Sequence, residues 1–308
     1  MVATIVLNQS NLLANGKNNT FIYRFPNSVS FPNHEIAVQS ITMYYSWSNI
    51  NTNPLANTTF TYTWTAGATT TTYQVVLPTG QYEIADINNY LQFVMIKNGT
   101  YLINSTGSFV YYAEMIVNTT QYSVQVNTFP VPTTLPSGWS VPVANPATGA
   151  GGFPGFPTTT QNPVLTFPAN FNQIIGFPAN YATSANVGAG TNLSYTSAQF
   201  GLAPQVQPNS SIYFSISNIQ NKYAIPNSII YSLSPNVAFG SQITALPPQF
   251  AWNKLLSGTY NELRLTILGL DQSPLNILDP NMTIVLVIRD TKDVGGLNEL
   301  LIAATGGK

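Results

Sequence analysis

Short stretches in which apolar and polar residues alternate recur near both ends of this chain. Phe60, Tyr62 and Trp64 alternate with threonines, and the stretch 263–267 repeats the pattern near the other end. A period of two residues is typical of a strand with one buried face. The run 284–288 is apolar at every position, which predicts a strand covered on both faces and central in its sheet. The pattern favours an all-β fold.

Two local features interrupt the alternation. The apolar face changes parity near Gln39 and Ser40, which predicts a β-bulge or a change of sheet. Farther on, the period becomes helical, with Glu83 and Asp86 at the front and Lys97 at the back, where each charge complements the helix dipole. We therefore expect one substantial helix, whose buried stripe is formed by Ile84, Ile87, Leu91, Val94 and Met95.

Proline and glycine predict where strands end. Pro26 and Pro32 indicate a turn after the first clear strand, and the interval from Pro130 to about Pro208 is dense in both residue types. Its many aromatic residues argue against disorder, so we expect ordered loops packed by aromatics and suited to a partner surface. Phe-Pro-Ala-Asn occurs at 167 and again at 177, as a turn device. The tail 290–308 is expected to be mobile or extended onto a neighbour.

Charged residues are unusually scarce. They make up 6% of the chain, against about 25% in an ordinary soluble domain, and none lies between Glu114 and Lys222. With a formal net charge of −1 and 44% apolar residues, electrostatic repulsion between copies is weak. The composition predicts a protein that assembles. Without a basic cluster, specific nucleic-acid binding is not expected.

Other classes are constrained by what the sequence lacks. It contains no cysteine, which excludes disulfides, thiolate metal sites and a cysteine nucleophile. No apolar run reaches membrane-spanning length. Residues 1–16 lack the cationic flank and apolar core of a secretory signal. We therefore expect no membrane span and no secretion by a signal peptide.

Candidate catalytic groups are few, and each has a structural interpretation. His34 is the only histidine and is expected on the surface or in packing. Glu83 and Asp86 could flank a scissile bond, but helix capping explains them better. Asp271 and Asp279 match no calcium loop, so turn formation is favoured. We therefore predict no catalytic, cofactor-binding or metal-binding residue, and no enzymatic activity.

The four tryptophans leave a second function open. Trp47, Trp64, Trp139 and Trp252, together with the tyrosines, could stack on sugar rings. The structural interpretation is that Trp64 lies in a strand core and the others anchor loops. A glycan-binding adhesin or fibre protein for host attachment is the alternative.

Several stretches together resemble the minor capsid, or penton, proteins of virophages and related polinton-type DNA viruses. The resemblance implies a jelly-roll capsid subunit that forms the pentamer at each icosahedral vertex, and no catalytic residue is carried over. It rests on the order of four motifs: FPNHEIAVQSITMYYSWSNIN at 31–51, LPTGQYEIADINNYLQFVMIKNG at 77–99, NFNQIIGFP at 170–178 and YNELRLTILGLDQSPLNILDPNMTIVLVIR at 260–289.

The strand patterns fit that expectation. A jelly roll needs about eight strands in two packed sheets, and about four are predicted before residue 78 and four after residue 210. We expect 1–78 and 210–308 to form a single jelly roll, a two-sheet antiparallel barrel. The interval 79–209 becomes a large inserted, mainly β domain that contains the helix.

The expected role is a structural capsid protein at the virion vertex, assembled inside the host cell. The expected partners are other copies in a homopentamer and the major capsid protein of the same virion, with a host-surface glycan or a host or helper-virus factor as a further partner.

Overall fold

A computed structural model describes residues 2–291 of the chain, and it confirms the all-β class. These residues form two compact units. Unit 1 combines residues 2–47 with 209–291, and unit 2 is Ser48–Pro208. The expected behaviour of the tail beyond residue 291 lies outside the described residues.

The strands of residues 2–291 are short and antiparallel. Helices are few: α1 (Ile84–Asn98), α2 (Phe171–Ile175) and two short 3-10 helices, Gln9–Asn11 and Ser197–Phe200. In chain order the strands are β1 (Val2–Leu7), β2 (Thr20–Ser30), β3 (His34–Tyr44), β4 (Thr59–Ala66), β5 (Thr69–Val76), β6 (Leu102–Ile103), β7 (Phe109–Val110), β8 (Ala113–Asn118), β9 (Ser123–Thr128), β10 (Leu165–Phe167), β11 (Tyr181–Ala182), β12 (Leu193–Thr196), β13 (Ile212–Ile216), β14 (Ile219–Gln220), β15 (Ile229–Leu233), β16 (Gln242–Ala245), β17 (Asn253–Leu255), β18 (Thr259–Leu268) and β19 (Thr283–Asp290).

Unit 1 is a sandwich of two antiparallel sheets. The first sheet has the order β1-β19-β3-β17-β14, and β16 also pairs with β3. The second has the order β15-β13-β18-β2. Among the described residues the two sheets do not join into a closed barrel. Their inner faces supply one continuous hydrophobic core.

The connectivity of unit 1 is that of a jelly roll. The first main strand pairs with the last (β1 with β19), the second with the seventh (β2 with β18) and the fourth with the fifth (β13 with β15). The third, β3, pairs with β16 and β17, which share the sixth position. Such a nested series is one long antiparallel hairpin, which winds into two sheets of four main strands.

The apolar run near the C-terminus lies where its composition predicted. β19 pairs with β1 on one side and β3 on the other, so it is central. Leu286 points into the core and is fully buried, and Val287 on the opposite face is only 5% exposed. The predicted bulge is also present, because the register between β19 and β3 passes from Ser40 to Val38 and leaves Gln39 without a partner.

The turn predicted at Pro26 is wrong. β2 continues through this proline to Ser30, and the turn follows at residues 31–33. Proline cannot donate to a neighbouring strand, but β2 is an edge strand, where a missing N–H is tolerated. A register shift in the pairing with β18, between Tyr260 and Glu262, lies nearby.

Unit 2 contains three small sheets, and α1 packs in its main hydrophobic core. Its sheets have the orders β11-β10-β4-β5, β12-β9-β8 and β6-β7. All five residues of the predicted helical stripe are buried in this core. At the start of α1, the Asp86 carboxylate accepts a hydrogen bond from the backbone N–H of Glu83 at 2.9 Å. This contact satisfies a free donor of the first turn.

The observed units divide the chain differently from the predicted segments 1–78, 79–209 and 210–308. β4 and β5 form a hairpin within unit 2. Phe60 and Tyr62 of β4 are fully buried there with Phe167 and Phe171. Their alternating pattern is the same as that of the unit 1 strands, so local sequence does not tell which core a hairpin joins.

The proline- and glycine-rich interval is ordered by its aromatic residues, as predicted. A third, smaller cluster in unit 2 centres on Trp64, Tyr112 and Val131, with Trp139 and Phe153 packed against it. The repeated Phe-Pro-Ala-Asn motif is a turn device in both copies. Its phenylalanines are fully buried, and its asparagines adopt positive φ, 76° at 170 and 58° at 180, a region in which asparagine is tolerated.

A glycine loop closes the C-terminal end of α1. Gly99 ends the helix with φ +69°, and a Cβ there would lie 2.1 Å from the carbonyl oxygen of Gly152. The backbone N–H of Gly151 donates to the carbonyl of Ile96 at 3.2 Å. Backbone therefore packs directly on backbone, which only residues without a side chain permit.

Two buried tyrosines of unit 2 predict sensitivity to alkali. Burial raises the pKa of Tyr62 from 10.0 to about 12, and burial raises the pKa of Tyr112 to about 12 as well. Between pH 10 and 12 the unfolded chain releases these protons before the folded chain does, so stability falls as the pH rises. For Tyr62, the free energy of unfolding should decrease by up to about 1.4 kcal/mol per pH unit in this window.

Tyrosinate absorbance followed together with circular dichroism measures this effect. Tyr62→Phe should lower stability at pH 7, because it removes the 2.8 Å hydrogen bond with Thr100, and should weaken the alkaline dependence. Tyr223→Phe is the matched control, since Tyr223 is 99% exposed. If Tyr62 ionised while the fold stayed intact near pH 10, the prediction would be wrong.

Candidate assembly site

The topology of unit 1 gathers four connections at one end of the sandwich. Because its strands are antiparallel, the ends of β1 and β3 and the starts of β16 and β19 lie at the same end. The chain also leaves unit 1 here, after Trp47, and re-enters it at Asn209. We call this the insertion end.

Backbone hydrogen bonds hold the departing chain to the loop before β19. Trp47 forms an isolated antiparallel bridge with Ile277. The carbonyl of Ser46 accepts from the N–H of Leu278 at 3.1 Å, and the Ser46 hydroxyl accepts from the N–H of Asp279 at 3.1 Å. Within unit 1, the chain is therefore held in place up to Trp47, the last residue before the inserted unit.

Asparagine side chains link the same loop to the β1–β2 connection. Asn19 donates through Nδ2 to the carbonyl of Leu275 at 2.6 Å, and Asn18 donates to the carbonyl of Ile277 at 3.0 Å. The N–H of Ile277 in turn donates to the carbonyl of Lys17 at 2.9 Å. Neutral amide side chains therefore join the two connections, a role that ion pairs often have in more charged proteins. Because the amides are uncharged, this link does not require the burial of a charge.

The point at which the chain re-enters unit 1 is also held by an asparagine side chain. Asn209 accepts through Oδ1 from the N–H of Leu270 at 3.2 Å. Tyr45 lies beside the exit, with its ring 4.5 Å from that of Trp47 and 5.7 Å from that of Phe239. Burial raises the pKa of the Tyr45 hydroxyl, which keeps this aromatic cluster uncharged.

The opposite end of the sandwich carries a half-buried ion pair. Arg289 donates through Nε and Nη2 to one carboxylate oxygen of Glu35 at 2.9 and 2.7 Å, and its guanidinium lies 4.0 Å from the centre of the Trp252 ring. By contrast, Arg264 and Glu262 approach to 3.5 Å and are about half exposed. The half-buried pair is expected to contribute more to stability because it is less hydrated.

Replacement of Arg289 tests that difference. Arg289→Ala should lower the free energy of unfolding by about 2 kcal/mol, since charged hydrogen bonds and a cation–π contact are lost together. Arg264→Ala is the matched control and should change it by less than about 0.5 kcal/mol. Urea denaturation of both variants measures the two values. Equal effects would contradict the assignment.

The candidate catalytic residues do not converge. Glu83 and Asp86 cap α1, while Asp271 accepts from the N–H of Ser273 at 3.0 Å in a turn. Asp279 accepts from the N–H of Asn281 at 2.6 Å, also in a turn. Within residues 2–291, no group of three or more metal-binding side chains could hold a metal ion. The turn and capping interpretations therefore agree with the geometry.

His34 and the tryptophans are mainly packing residues. The His34 ring lies 5.2 Å from that of Phe31 in an edge-to-face arrangement. Trp47 and Trp64 are each 2% exposed, so neither offers a face to a sugar. Trp139 and Trp252 are half-buried.

An open polar groove of about 390 Å³ lies on unit 1. Sequence reasoning did not find it, because its residues come from the β13–β14 connection and from β18, which are distant in sequence and form no recognisable motif. The groove is lined by Ser217, Asn218, Thr259, Tyr260, Asn261, Glu262 and Arg264. None of the helices in the described part of the chain is both long and apolar enough to cross a membrane.

Comparisons with known proteins find a similarity among solved structures. No family model matches the chain, and no curated protein matches it. Among solved structures the chain is similar to the selenomethionine-labelled penton protein of mavirus, with a TM-score of 0.42 and 10% sequence identity. The match covers 94% of this chain and 98% of that chain. No residue role is transferred at this identity.

Proposed function

We propose that this chain is a structural capsid protein that forms the pentameric vertex, or penton, of an icosahedral DNA virus or virophage. The observation that carries the proposal is the strand order of unit 1, a single jelly roll interrupted between its third and fourth main strands. One sandwich per chain suits a fivefold ring.

In this proposal the two units have different tasks. Unit 1 is the capsid-forming jelly roll, and unit 2 is the inserted domain that projects from the outer surface. Because unit 2 is inserted in the chain of unit 1, a closed ring of five chains would carry five copies of unit 2. The low charge of the chain favours contact with other copies and with the major capsid protein over specific nucleic-acid binding.

The proposed ring uses head-to-tail contacts. Such contacts close only when the rotation from one subunit to the next fits, and vertex neighbours would hold that angle. The protein would act without catalysis, at the capsid vertex of the virion, after assembly inside the host cell.

Native mass spectrometry of the purified chain tests the oligomer, and co-sedimentation with particles that contain the major capsid protein tests the location. The expected results are a five-subunit species and a fivefold-vertex location in images of the particle. A chain that stays monomeric and does not co-sediment would refute the proposal.

The second candidate function is glycan binding by an adhesin or fibre protein. The polar groove of unit 1 favours it, since amides, a carboxylate, a guanidinium and the Tyr260 ring are grouped there, and sugars are bound by such groups. Trp139→Ala would be an ambiguous test, because Trp139 packs in the third aromatic cluster. Glycan-array binding that is lost in Arg264→Ala, with assembly retained, would support this function.

A further inference from the structure

Unit 1 has two lateral sides, formed by the edge strands of its two sheets; β16, which pairs with β3, is a further edge strand of the first sheet. β1 and β2 are consecutive edge strands and define one side. β14 and β15 are likewise consecutive and define the other side. The connection between β14 and β15, residues 221–228, therefore lies on the side opposite β1.

This connection presents two apolar side chains to solvent. Tyr223 is 99% exposed and Ile225 is 88% exposed, more than any other large hydrophobic residue described. The loop is nevertheless held in place. The N–H of Asn221 donates to the carbonyl of Asn227 at 2.7 Å, and the N–H of Tyr223 donates to the Asn221 side chain at 3.1 Å. We call Tyr223 and Ile225 the knob.

The opposite side carries an uncharged strip that is exposed along β1 and continues onto the partly exposed Val285 and the buried Val287 of β19. Val2 is 69% exposed and Val6 is 47% exposed on β1, and the register places Val285 and Val287 of β19 beside Val6 and Thr4. We call these five residues the valine strip. Within residues 2–291 no strand pairs with the outer edge of β1.

The β1 edge also lacks the usual protection. Edge strands commonly carry a charge or a proline that prevents pairing with other chains. β2 has Arg24 and Pro26, whereas the sequence of β1, Val-Ala-Thr-Ile-Val-Leu, has neither. An apolar, uncharged and unguarded edge favours burial against a partner.

We propose that the knob of one copy packs on the valine strip of the next copy. The inference rests on the ring of the proposed function and names the surfaces that form it. Because the two surfaces lie on opposite lateral sides, each copy has one free knob and one free strip, which is the condition for a head-to-tail ring. Every copy of the chain carries both the knob and the valine strip, so a second copy always offers the surface that the first one needs.

Charge argues against the alternative in which two knobs face each other. Lys222 precedes Tyr223 and is exposed, so a knob-to-knob contact would bring two ammonium groups together, with repulsion across the interface. The five residues of the valine strip carry no charge, and Arg289, which lies beside Val2, is already paired with Glu35. Tyrosine is also a common anchor at the centre of protein interfaces, because it buries a large rigid surface.

Cross-linking between two single-cysteine variants of the full chain tests the contact. The wild-type sequence has no cysteine, so Tyr223→Cys and Val6→Cys each introduce a unique thiol. Each variant is incubated alone and mixed with the other, after dissociation and reassembly, and a short bismaleimide is added. The expected result is a cross-linked dimer in the mixture and none in either variant alone.

A second arm measures the energy of the contact. The double variant Tyr223→Ser/Ile225→Ser should weaken ring formation at least tenfold without changing the melting temperature of the subunit, since these side chains pack on nothing within it. Tyr122→Ser is the matched control, because Tyr122 is 77% exposed in unit 2, and it should leave assembly unchanged.

The outcomes separate this inference from the proposed function. A five-subunit ring that forms normally in the double variant, or that gives no mixed cross-link, overturns the surface assignment and leaves the pentamer standing. Cross-links in Tyr223→Cys alone show a knob-to-knob contact and overturn it too. So does a Val6→Cys thiol that reacts only after removal of residues 292–308, because the chain's own tail would then cover the strip. A monomeric wild-type chain overturns both.

Discussion

Gly99→Ala is expected to be among the most destabilising single substitutions in unit 2, with a loss of about 3 kcal/mol or more in the free energy of unfolding. The left-handed conformation, φ +69°, alone costs a residue with a Cβ about 1–2 kcal/mol. The added methyl group would also lie 2.1 Å from the carbonyl oxygen of Gly152. That neighbour is backbone, so the loop must move to relieve the overlap.

Gly107→Ala separates the two contributions. Gly107 also has positive φ, +81°, but a Cβ there would meet nothing within 4 Å. This control should lose only about 1 kcal/mol from backbone strain. Chemical denaturation of both variants measures the difference. If the two glycines gave the same loss, the close approach between the α1 terminus and the glycine loop would not be a major contribution to stability.

Short-range features of this fold could be predicted from the sequence because their causes are local. The five-residue stripe of α1 follows from its 3.6-residue period, and Glu83 and Asp86 mark its start. The bulge at Gln39 follows from a change in apolar parity, since a strand must present one side to the core. The all-apolar run of β19 follows from burial on both faces.

Pairing between distant segments could not be predicted in the same way. The hairpin of β4 and β5 has the alternation of a jelly-roll strand, yet its Phe60 packs on Phe167 and Phe171 in unit 2, and its Tyr62 is buried in the same core. Any amphipathic strand could supply either core. The choice is decided by shape and by partners about 100 residues away, which a local pattern does not contain.

At the candidate assembly site, too, local features could be predicted from the sequence and the long-range arrangement could not. The scarcity of charge predicts self-association, but it does not indicate which surfaces would form the contact. The insertion end depends on amide groups of Asn18, Asn19 and Asn209, and asparagine is so common in this chain that no single one stands out. The knob has a weak sequence signal, an apolar Tyr-Ala-Ile-Pro stretch between asparagines, that reads locally as an ordinary turn.

Trp47→Ala is expected to be the most destabilising substitution at the insertion end. Trp47 is 2% exposed and packs on Tyr45 at 4.5 Å, and removal of a buried large aromatic side chain typically costs about 3–5 kcal/mol. The cavity would also loosen the bridge to Ile277. We therefore expect a lower melting temperature of unit 1 and weaker assembly of the full chain, measured by calorimetry and native mass spectrometry.

Trp47→Phe distinguishes packing from hydrogen bonding at this position. The Nε1 of Trp47 is buried without a hydrogen-bond partner among the described residues, so phenylalanine removes an unsatisfied donor while it keeps most of the apolar contact. The loss should be about 1 kcal/mol, far less than for alanine. A loss as large as that of Trp47→Ala would instead mean that the indole N–H is bound, and that the exit of the inserted unit is held by a polar contact as well as by the ring.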